Sequence, residues 1–200
     1  MTLFKHSVKK AVWGQPSESE YALAEYSRVY WEAAKTLVQS VGDKKAELSE
    51  YNAYPVAFLY RHALELGVKS LLAKYRDEDG QLVKDILDHS HKLGKHIDDL
   101  QYLRRRHPHA FEPDRAFDAL IALLKEWDRN DPRGIMFRYG TKKDGETRVL
   151  PEGYELDIGH FATTMDEAIE YLLNVEQKIF DTKIAQITRE AVGDEEYFGR

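Results

Sequence analysis

Hydrophobic residues recur at intervals of three and four along most of this chain, which is the spacing of one face of an α-helix. The most apolar stretch runs from Pro55 to Tyr75, where apolar side chains cover most of the helical circumference. A helix that is apolar almost all round is usually buried at the centre of its bundle. Proline suits the first turn of a helix, because its missing N–H would have no partner there. The pattern therefore predicts a central helix over residues 55–75.

Four further segments show the same periodicity together with a polar face. The first has a capping box from Ser17 to Glu20 before it, and its periodic apolar set includes Tyr26 and Val29. In the last segment, Thr163 or Thr164 is the expected N-cap and Gly193 is the expected end. These amphipathic helices are predicted at residues 18–41, 91–107, 113–127 and 161–192.

Residues 136–150 depart from the helical pattern. Asp144-Gly145 stands between two β-prone runs, and this dipeptide in that setting is typical of a hairpin turn. We therefore predict an all-α fold, an antiparallel bundle of about five helices with a small β-hairpin insert before the last helix. The bundle would form a single domain over residues 17–192, between an N-terminal lead-in at 1–16 and a flexible tail at 193–200.

The composition is that of a globular domain. At 200 residues the chain can bury a sizeable core, and 12 tyrosines, 8 phenylalanines and 3 tryptophans argue against disorder. The absence of cysteine excludes disulfides, thiolate zinc sites and iron–sulfur clusters. The first residues lack a hydrophobic signal core, and no run approaches the roughly 18 apolar residues that span a bilayer. We therefore expect a cytoplasmic protein that does not cross a membrane.

The formal net charge of −6 gives no support for general coating of nucleic acid, although a local basic patch can still bind it. Several catalytic signatures are missing: a Walker glycine loop, a dinucleotide fingerprint, a nucleophile elbow and a His-Glu-x-x-His motif. We therefore expect no nucleotide and no other cofactor. No metal is expected either, because the histidines lack the spacing and partners of a zinc site. The histidines considered are His62, His89, His91 and His96.

Arg61, Glu65 and Lys69 stand four residues apart and form one stripe of the apolar second helix. The simpler interpretation is a ladder of ion pairs on a solvated face, worth roughly 0.2–0.5 kcal/mol per pair. The alternative is an anion-binding site in which Arg61 and Lys69 hold the anion and Glu65 orients them. Charges on a central helix either pair with one another or mark a site.

Other cationic candidates lie further along the chain. Lys92, Arg104 and Arg105 belong to its most basic stretch. Such a run is usually a solvated helix end, but Tyr102 beside it offers a ring for stacking on nucleic acid. Arg138 stands between two aromatic residues, and strand alternation would leave it in water unless it enters a cleft as an anion contact.

Three segments of the chain resemble one known family. Tyr60-Arg-His-Ala-Leu-Glu-Leu resembles the signature helix of HEPN-like proteins (higher eukaryotes and prokaryotes nucleotide-binding domains), in their uncharacterised bacterial branch. His89-Ser-His-Lys-Leu resembles the start of their next helix, and Asp131-Pro-Arg-Gly-Ile-Met-Phe-Arg-Tyr139 resembles an element before their last helix. The resemblance implies a small helical bundle, commonly dimeric. It implies metal-independent RNase activity in toxin–antitoxin, phage-defence or CRISPR systems for many members, and inactive partnership with nucleotidyltransferases for others.

The chain departs from the motif of the active members, which is Arg, four to six residues, then His, near the last helix. No arginine precedes His160 at that spacing, and the only literal match, from Arg104 to His109, falls at the end of the predicted third helix. The leading hypothesis is therefore an HEPN-like module without the standard RNase motif. It would associate with RNA or with a partner protein, within a toxin–antitoxin or phage-defence system.

Two alternatives stay open. One is a metal-independent endoribonuclease with a rearranged site, in which Arg61 and Arg138 act with either His62 or His91. Histidine has by default the pKa that acid–base catalysis near neutrality needs. The other alternative is a purely structural dimerisation domain. The resemblance favours a homodimer, and an RNA or a protein is the expected partner.

Overall fold

The computed structural model describes residues 21–42, 53–75, 91–138 and 156–198, and within them the fold is all-α, as predicted. Two short 3-10 helices, Leu93–His96 and Pro108–Phe111, flank the third α-helix. No helix in these ranges is both long enough and apolar enough to cross a lipid bilayer. The α-helices are α1 (Tyr21–Gly42), α2 (Ala53–Tyr75), α3 (Ile97–Arg106), α4 (Asp114–Asn130) and α5 (Ile158–Phe198).

Helix α2 is the centre of the bundle, as its apolar circumference predicts. Most of its hydrophobic side chains are fully buried, and α1, α3 and α5 all pack against it. A Cβ at Gly67 would lie 3.1 Å from Ser27 Oγ of α1 and 3.6 Å from Leu172 Cδ1 of α5. Ser27 Oγ also donates a hydrogen bond to the Ala63 carbonyl, 2.8 Å away. The glycine therefore permits a close approach of three helices.

Helix α1 buries only part of the face that its periodicity suggests: Ala34 is buried, and Leu37 and Val38 pack partly buried against the core. Tyr26 and Val29, which belong to its periodic apolar set, are 39% and 61% exposed. Its fully or nearly buried residues are small: Ala24, Ser27 and Ala34. Small side chains let two helix axes approach closely. The larger apolar residues on the neighbouring face therefore stay in contact with solvent.

The helix directions follow an antiparallel bundle with one exception. α1 and α2, α3 and α4, and α4 and α5 are antiparallel pairs. Helices α2 and α5 run parallel, because Tyr60 near the start of α2 donates to Asp166 at 2.9 Å and Lys74 at its end pairs with Glu176. Alternation is therefore broken between α2 and α3, which point the same way.

Helix α5 begins at Ile158, before the predicted start. Asp157 is its N-cap, since Asp157 Oδ1 accepts a hydrogen bond from His160 N at 2.9 Å. Thr163 and Thr164, the predicted caps, lie inside the helix, and their hydroxyls donate to backbone carbonyls four residues earlier. The prediction of a threonine cap is wrong because an aspartate, which ranks above threonine as an N-cap, precedes both.

Gly193 does not end α5, which continues to Phe198. A glycine inside a helix costs about 1 kcal/mol relative to alanine, which is too little to break a helix of this length. Ile179 is the last buried residue among those with described side chains, and residues 180–190 are all exposed. The final part of the helix therefore extends beyond the core of the bundle.

Of the β-hairpin predicted over residues 136–150, the structure describes residues 136–138, and these residues form no strand. Residues 136–138 form a turn, in which Arg138 N donates to the Ile135 carbonyl at 3.1 Å. The carboxylate of Asp131 accepts hydrogen bonds from backbone N–H groups that a strand would offer to its neighbour. The rest of the hairpin, the N-terminal lead-in, the first capping box and His89 lie outside the described residues.

Replacing Leu64 by alanine should lower the free energy of unfolding by about 2–5 kcal/mol, because this fully buried side chain of α2 would leave a cavity. Urea unfolding followed by circular dichroism measures the change. Val29→Ala on the exposed face of α1 is the control, and its stability should stay within about 0.5 kcal/mol of the parent chain. Equal losses in the two variants would contradict the assignment of α2 as the core helix.

Candidate functional site

The stripe formed by Arg61, Glu65 and Lys69 lies inside the protein. Their side chains are 4%, 3% and 9% exposed. The ion pairs of the predicted ladder do form: Arg61 Nη1 is 3.1 Å from Glu65 Oε2, and Lys69 Nζ is 2.9 Å from Glu65 Oε1. The prediction of a solvated face is wrong because two segments cover it, one beginning at His91 and the other a turn beginning at Asp131.

Glu65 is at the centre of a cluster of polar side chains. Its members are Arg61, Glu65, Lys69, His91, Asp131 and Arg138. Besides its two neighbours on α2, the Nδ1 atom of His91 lies 3.1 Å from both carboxylate oxygens. Burial by itself would raise the pKa of Glu65, but Lys69 and His91 together outweigh burial and lower the pKa to about 2. Glu65 is therefore a carboxylate at neutral pH. Because a carboxylate only accepts, His91 donates to Glu65 through Nδ1–H.

Arg61 connects α2 to two segments that are distant along the chain. Its Nη2 atom donates to the His91 carbonyl at 2.6 Å and to the Asp131 carbonyl at 3.4 Å. Its Nε atom lies 3.3 Å from Asp131 Oδ2. Burial lowers the pKa of Arg61 from its ordinary value, while Asp131 and Glu65 oppose that effect. The guanidinium stays charged at neutral pH, and two carboxylates and two carbonyl oxygens match it.

The turn over residues 131–138 is built around this guanidinium. Asp131 Oδ1 accepts hydrogen bonds from the backbone N–H groups of Ile135 and Met136, at 2.9 and 3.1 Å. Gly134 has a φ of +64°, and a Cβ there would lie 2.6 Å from Arg61 Nη1. A larger residue would be strained and would collide with the guanidinium. Gly134 therefore lets the turn pack its backbone against Arg61.

His91 and Arg138 form the accessible part of the cluster. The His91 side chain is 37% exposed, and Arg138 is exposed. Arg138 Nη2 lies 3.3 and 3.4 Å from the two ring nitrogens of His91. The guanidinium of Arg138 also stands 5.4 Å from the centre of the Phe58 ring, within the range of a cation–π contact. Arg138 is therefore in water, as alternation suggested, and it also contacts the cluster.

His62 packs beside the cluster without joining its hydrogen bonds. Its ring stacks on Phe58 with the centroids 5.8 Å apart. Burial lowers the pKa of His62; Glu65 opposes this effect, and Arg138 and His91 add to it. Within the described residues, His62 Nδ1 has no hydrogen-bond partner. Of the two histidines considered for acid–base chemistry, His91 is therefore the one that contacts a carboxylate.

The predicted anion-binding residues divide into two groups. Those on α2 and in the turn join the cluster, and Lys92, which follows His91 in the chain, is exposed. Arg104 and Arg105 lie at the opposite end of α3, which is about 15 Å long. There Arg104 forms ion pairs with two aspartates of α4, and Arg105 approaches the ring of Tyr102. The literal Arg-to-His motif at the end of α3 therefore lies away from the cluster.

The described part of the cluster carries more positive than negative charge. Its cations are Arg61, Lys69 and Arg138, and its carboxylates are Glu65 and Asp131. The excess charge reaches the surface at Arg138, beside the Nε2 atom of His91. Such an arrangement can bind an anion and place a base next to it. In the same ranges, no three His, Cys, Asp or Glu side chains are placed to hold a metal ion.

Sequence reasoning identified Arg61, His91 and Arg138 but missed the residues that bring them together. Asp131 and Gly134 fold the turn onto Arg61. The signal was present in the order Asp, Pro, Arg, Gly at residues 131–134, because an aspartate followed by such residues often binds turn backbone N–H groups. The β-prone residues that follow obscured this signal by suggesting a strand.

Comparisons of the chain with protein-family models, with curated proteins and with solved structures find no match.

Replacing Glu65 by glutamine should lower the free energy of unfolding at neutral pH by about 3–5 kcal/mol, because Lys69 loses its buried counter-charge and Arg61 loses one of its two. Chemical unfolding at fixed pH measures the loss. Glu167→Gln, at an exposed position of α5, is the matched control and should change stability by less than about 0.5 kcal/mol. A loss in the control as large as that in Glu65→Gln would contradict the special role of the buried carboxylate.

The same variants test the pKa of Glu65 itself. The folded protein lowers this pKa to about 2 from the ordinary value of 4.5, so the carboxylate stabilises the fold above pH 4.5. That contribution should decline as the pH falls from 4.5 towards about 2. The stability difference between the parent chain and Glu65→Gln should therefore shrink over this interval. A difference that is independent of pH would contradict the lowered pKa.

Proposed function

We propose that this chain is an HEPN-like module that binds RNA through the cluster of Arg61, Glu65, His91 and Arg138. The observation that carries the proposal is the convergence of three segments, distant along the chain, on one partly accessible site with excess positive charge. In this proposal Arg138 contacts a phosphate at the surface. His91 lies beside that phosphate. Arg61 and Glu65, on the buried side of the site, hold the His91 segment and the turn at Asp131 in place.

The charge distribution supports a local contact with nucleic acid. The whole chain is acidic, with a formal net charge of −6, so long-range attraction to RNA is weak. Binding would depend on a few phosphate contacts at the cluster, and Lys92, which follows His91 in the chain, is exposed. Each phosphate contact releases counterions, so affinity falls as salt rises. We therefore expect weak binding that salt weakens further.

The resemblance to HEPN proteins supports the same site. The three segments that carry the resemblance contain Arg61 with Glu65, His91, and Asp131 with Arg138. They are the same segments that meet in the cluster. The proposal extends on this basis to a cytoplasmic role in a toxin–antitoxin or phage-defence system, where a protein partner could occupy the same surface in place of RNA.

Replacing Arg138 by alanine should weaken binding of a labelled single-stranded RNA by about 10-fold, because a charge-assisted phosphate contact is lost. Arg133→Ala is the matched control, since it removes another exposed arginine of the same turn. Fluorescence anisotropy across a salt series measures both affinities, and the logarithmic salt slope should fall by about one for Arg138→Ala. Equal weakening in the two variants, or no binding by the parent chain, would contradict the proposal.

A second candidate function is a metal-independent endoribonuclease, and the Glu65–His91 contact is the observation that favours it. His91 Nε2 would take the proton of a ribose 2′-hydroxyl, whose oxygen attacks the adjacent phosphorus. The bond to the 5′-oxygen breaks, that oxygen takes a proton from water, and a cyclic phosphate remains. Arg138 would stabilise the charge that develops on the phosphate.

For this candidate, His91→Ala should reduce cleavage by at least about 100-fold, because the general base is removed. His109→Ala is the control, since the His109 side chain is 93% exposed and lies beyond α3. EDTA should leave the rate of the parent chain unchanged. A parent chain that cleaves no RNA, either in EDTA or with added divalent metal, would exclude the nuclease and leave the RNA-binding proposal standing.

A further inference from the structure

A cavity of about 200 Å³ lies between the end of α4, the turn at residues 136–137 and the start of α5. An apolar cavity of roughly 150 Å³ holds one benzene molecule, so this cavity has room for a ligand slightly larger than that. Most of its wall is hydrophobic. The apolar residues that line it are Leu123, Trp127, Met136, Phe137, Leu156 and Phe161.

Three of these residues are aromatic, and their rings stand nearly at right angles. The ring of Phe137 makes an angle of 82° with the ring of Trp127, and the two centroids are 5.8 Å apart. The ring of Phe161 makes an angle of 76° with the ring of Trp127, at 6.1 Å. Rings in this arrangement form walls on different sides of a cavity, as in the aromatic cages that bind methylated ammonium groups.

The charge around the cavity is negative. Glu126 and Asp157 line it and are exposed, and no lysine or arginine of the described residues lines it. Asp157 caps α5 by accepting a hydrogen bond from His160 N, and the positive end of a helix is equivalent to only about half a charge. In the described part of the chain, Glu126 forms no ion pair. The cavity therefore favours a cation over an anion.

We propose that this cavity binds a small quaternary ammonium cation, about the size of choline. The methyl groups of the cation pack against the three rings, whose faces attract positive charge, and the two carboxylates supply the opposite charge. A quaternary ammonium has no N–H group and needs no hydrogen-bond acceptor. A primary ammonium has three N–H donors, and the apolar wall would leave donors unpaired. The lining therefore selects the methylated cation.

The cavity and the cluster adjoin the same turn but share no residue. Met136 and Phe137 line the cavity, whereas Asp131 and Arg138 belong to the cluster. The proposal therefore does not rest on RNA binding. A chain that binds a quaternary ammonium but no RNA, or RNA but no quaternary ammonium, would separate the two proposals.

A pair of ligands of the same shape tests the recognition of charge. Choline and 3,3-dimethylbutan-1-ol differ in one atom, a charged nitrogen in the first and a neutral carbon in the second. Titration of the full chain followed by NMR of the ligand methyl groups measures both affinities, with sodium chloride keeping the ionic strength constant. Choline should bind with a dissociation constant of about 1 mM or below, and the neutral alcohol should bind at least about 10-fold more weakly.

The methyl signal of bound choline should move upfield, because protons over the faces of aromatic rings are shielded. Absence of choline binding would overturn the proposal. Equal affinities for the two ligands would also overturn it, since they would show a cavity that binds apolar groups only.

Replacing Phe161 by leucine tests the aromatic wall, because it removes a ring and keeps an apolar side chain. The affinity for choline should fall about 5-fold, while the affinity for the neutral alcohol should change by less than about 2-fold. Phe161 also packs edge-on against Tyr60, so circular dichroism must show that the variant folds. An unchanged affinity for choline in the folded variant would overturn the proposal.

Replacing Glu126 by glutamine tests the carboxylate at an exposed position, where the fold should be unaffected. The affinity for choline should fall about 3-fold at low ionic strength, and the difference from the parent chain should shrink as salt is added. Glu170→Gln is the matched control, since Glu170 is exposed on α5 and does not line the cavity. Equal choline affinities in the two variants would overturn the proposed recognition of a cation.

Discussion

The buried charge of Arg61 constrains the structure around it. A guanidinium that is 4% exposed must find partners inside the protein, because an unpaired buried charge costs several kcal/mol. Those partners are the carboxylates of Glu65 and Asp131 and the carbonyl oxygens of His91 and Asp131. They come from α2, from the segment before α3 and from the turn after α4. Three parts of the chain must therefore meet at one place, and the position of the site follows from that requirement.

The cluster divides into a buried half that fixes geometry and an accessible half that is free to act. Arg61, Glu65 and Lys69 bond to one another and to the backbone. His91 and Arg138 have solvent on one side and the buried half on the other. Because Glu65 contacts the imidazole, the ring of His91 is held in a defined position. A preorganised site of this kind loses little entropy when it binds a ligand.

Much of the helical framework could be predicted from the sequence, because it follows from periodic burial. The apolar circumference of α2 indicated its central place, and α4, found at Asp114–Asn130, was predicted at residues 113–127. Periodicity could not tell whether the stripe on α2 faces solvent or other residues, since that depends on which distant segments cover it. The turn at Asp131 and the cap at Asp157 depend on single side chains accepting backbone hydrogen bonds, and β-prone or helical neighbours conceal such signals.

Arg61 contacts residues that are distant from it in the sequence, and this has a consequence for the order of folding. Its hydrogen bonds to the carbonyls of His91 and Asp131 join residues 30 and 70 positions apart. The conformational entropy lost in closing such loops is recovered only when their partners have docked. Helices can form, and α1 can pair with α2, while these loops are still open. The cluster is therefore assembled only when these two loops close, and a state with native helices but open loops would still lack the site.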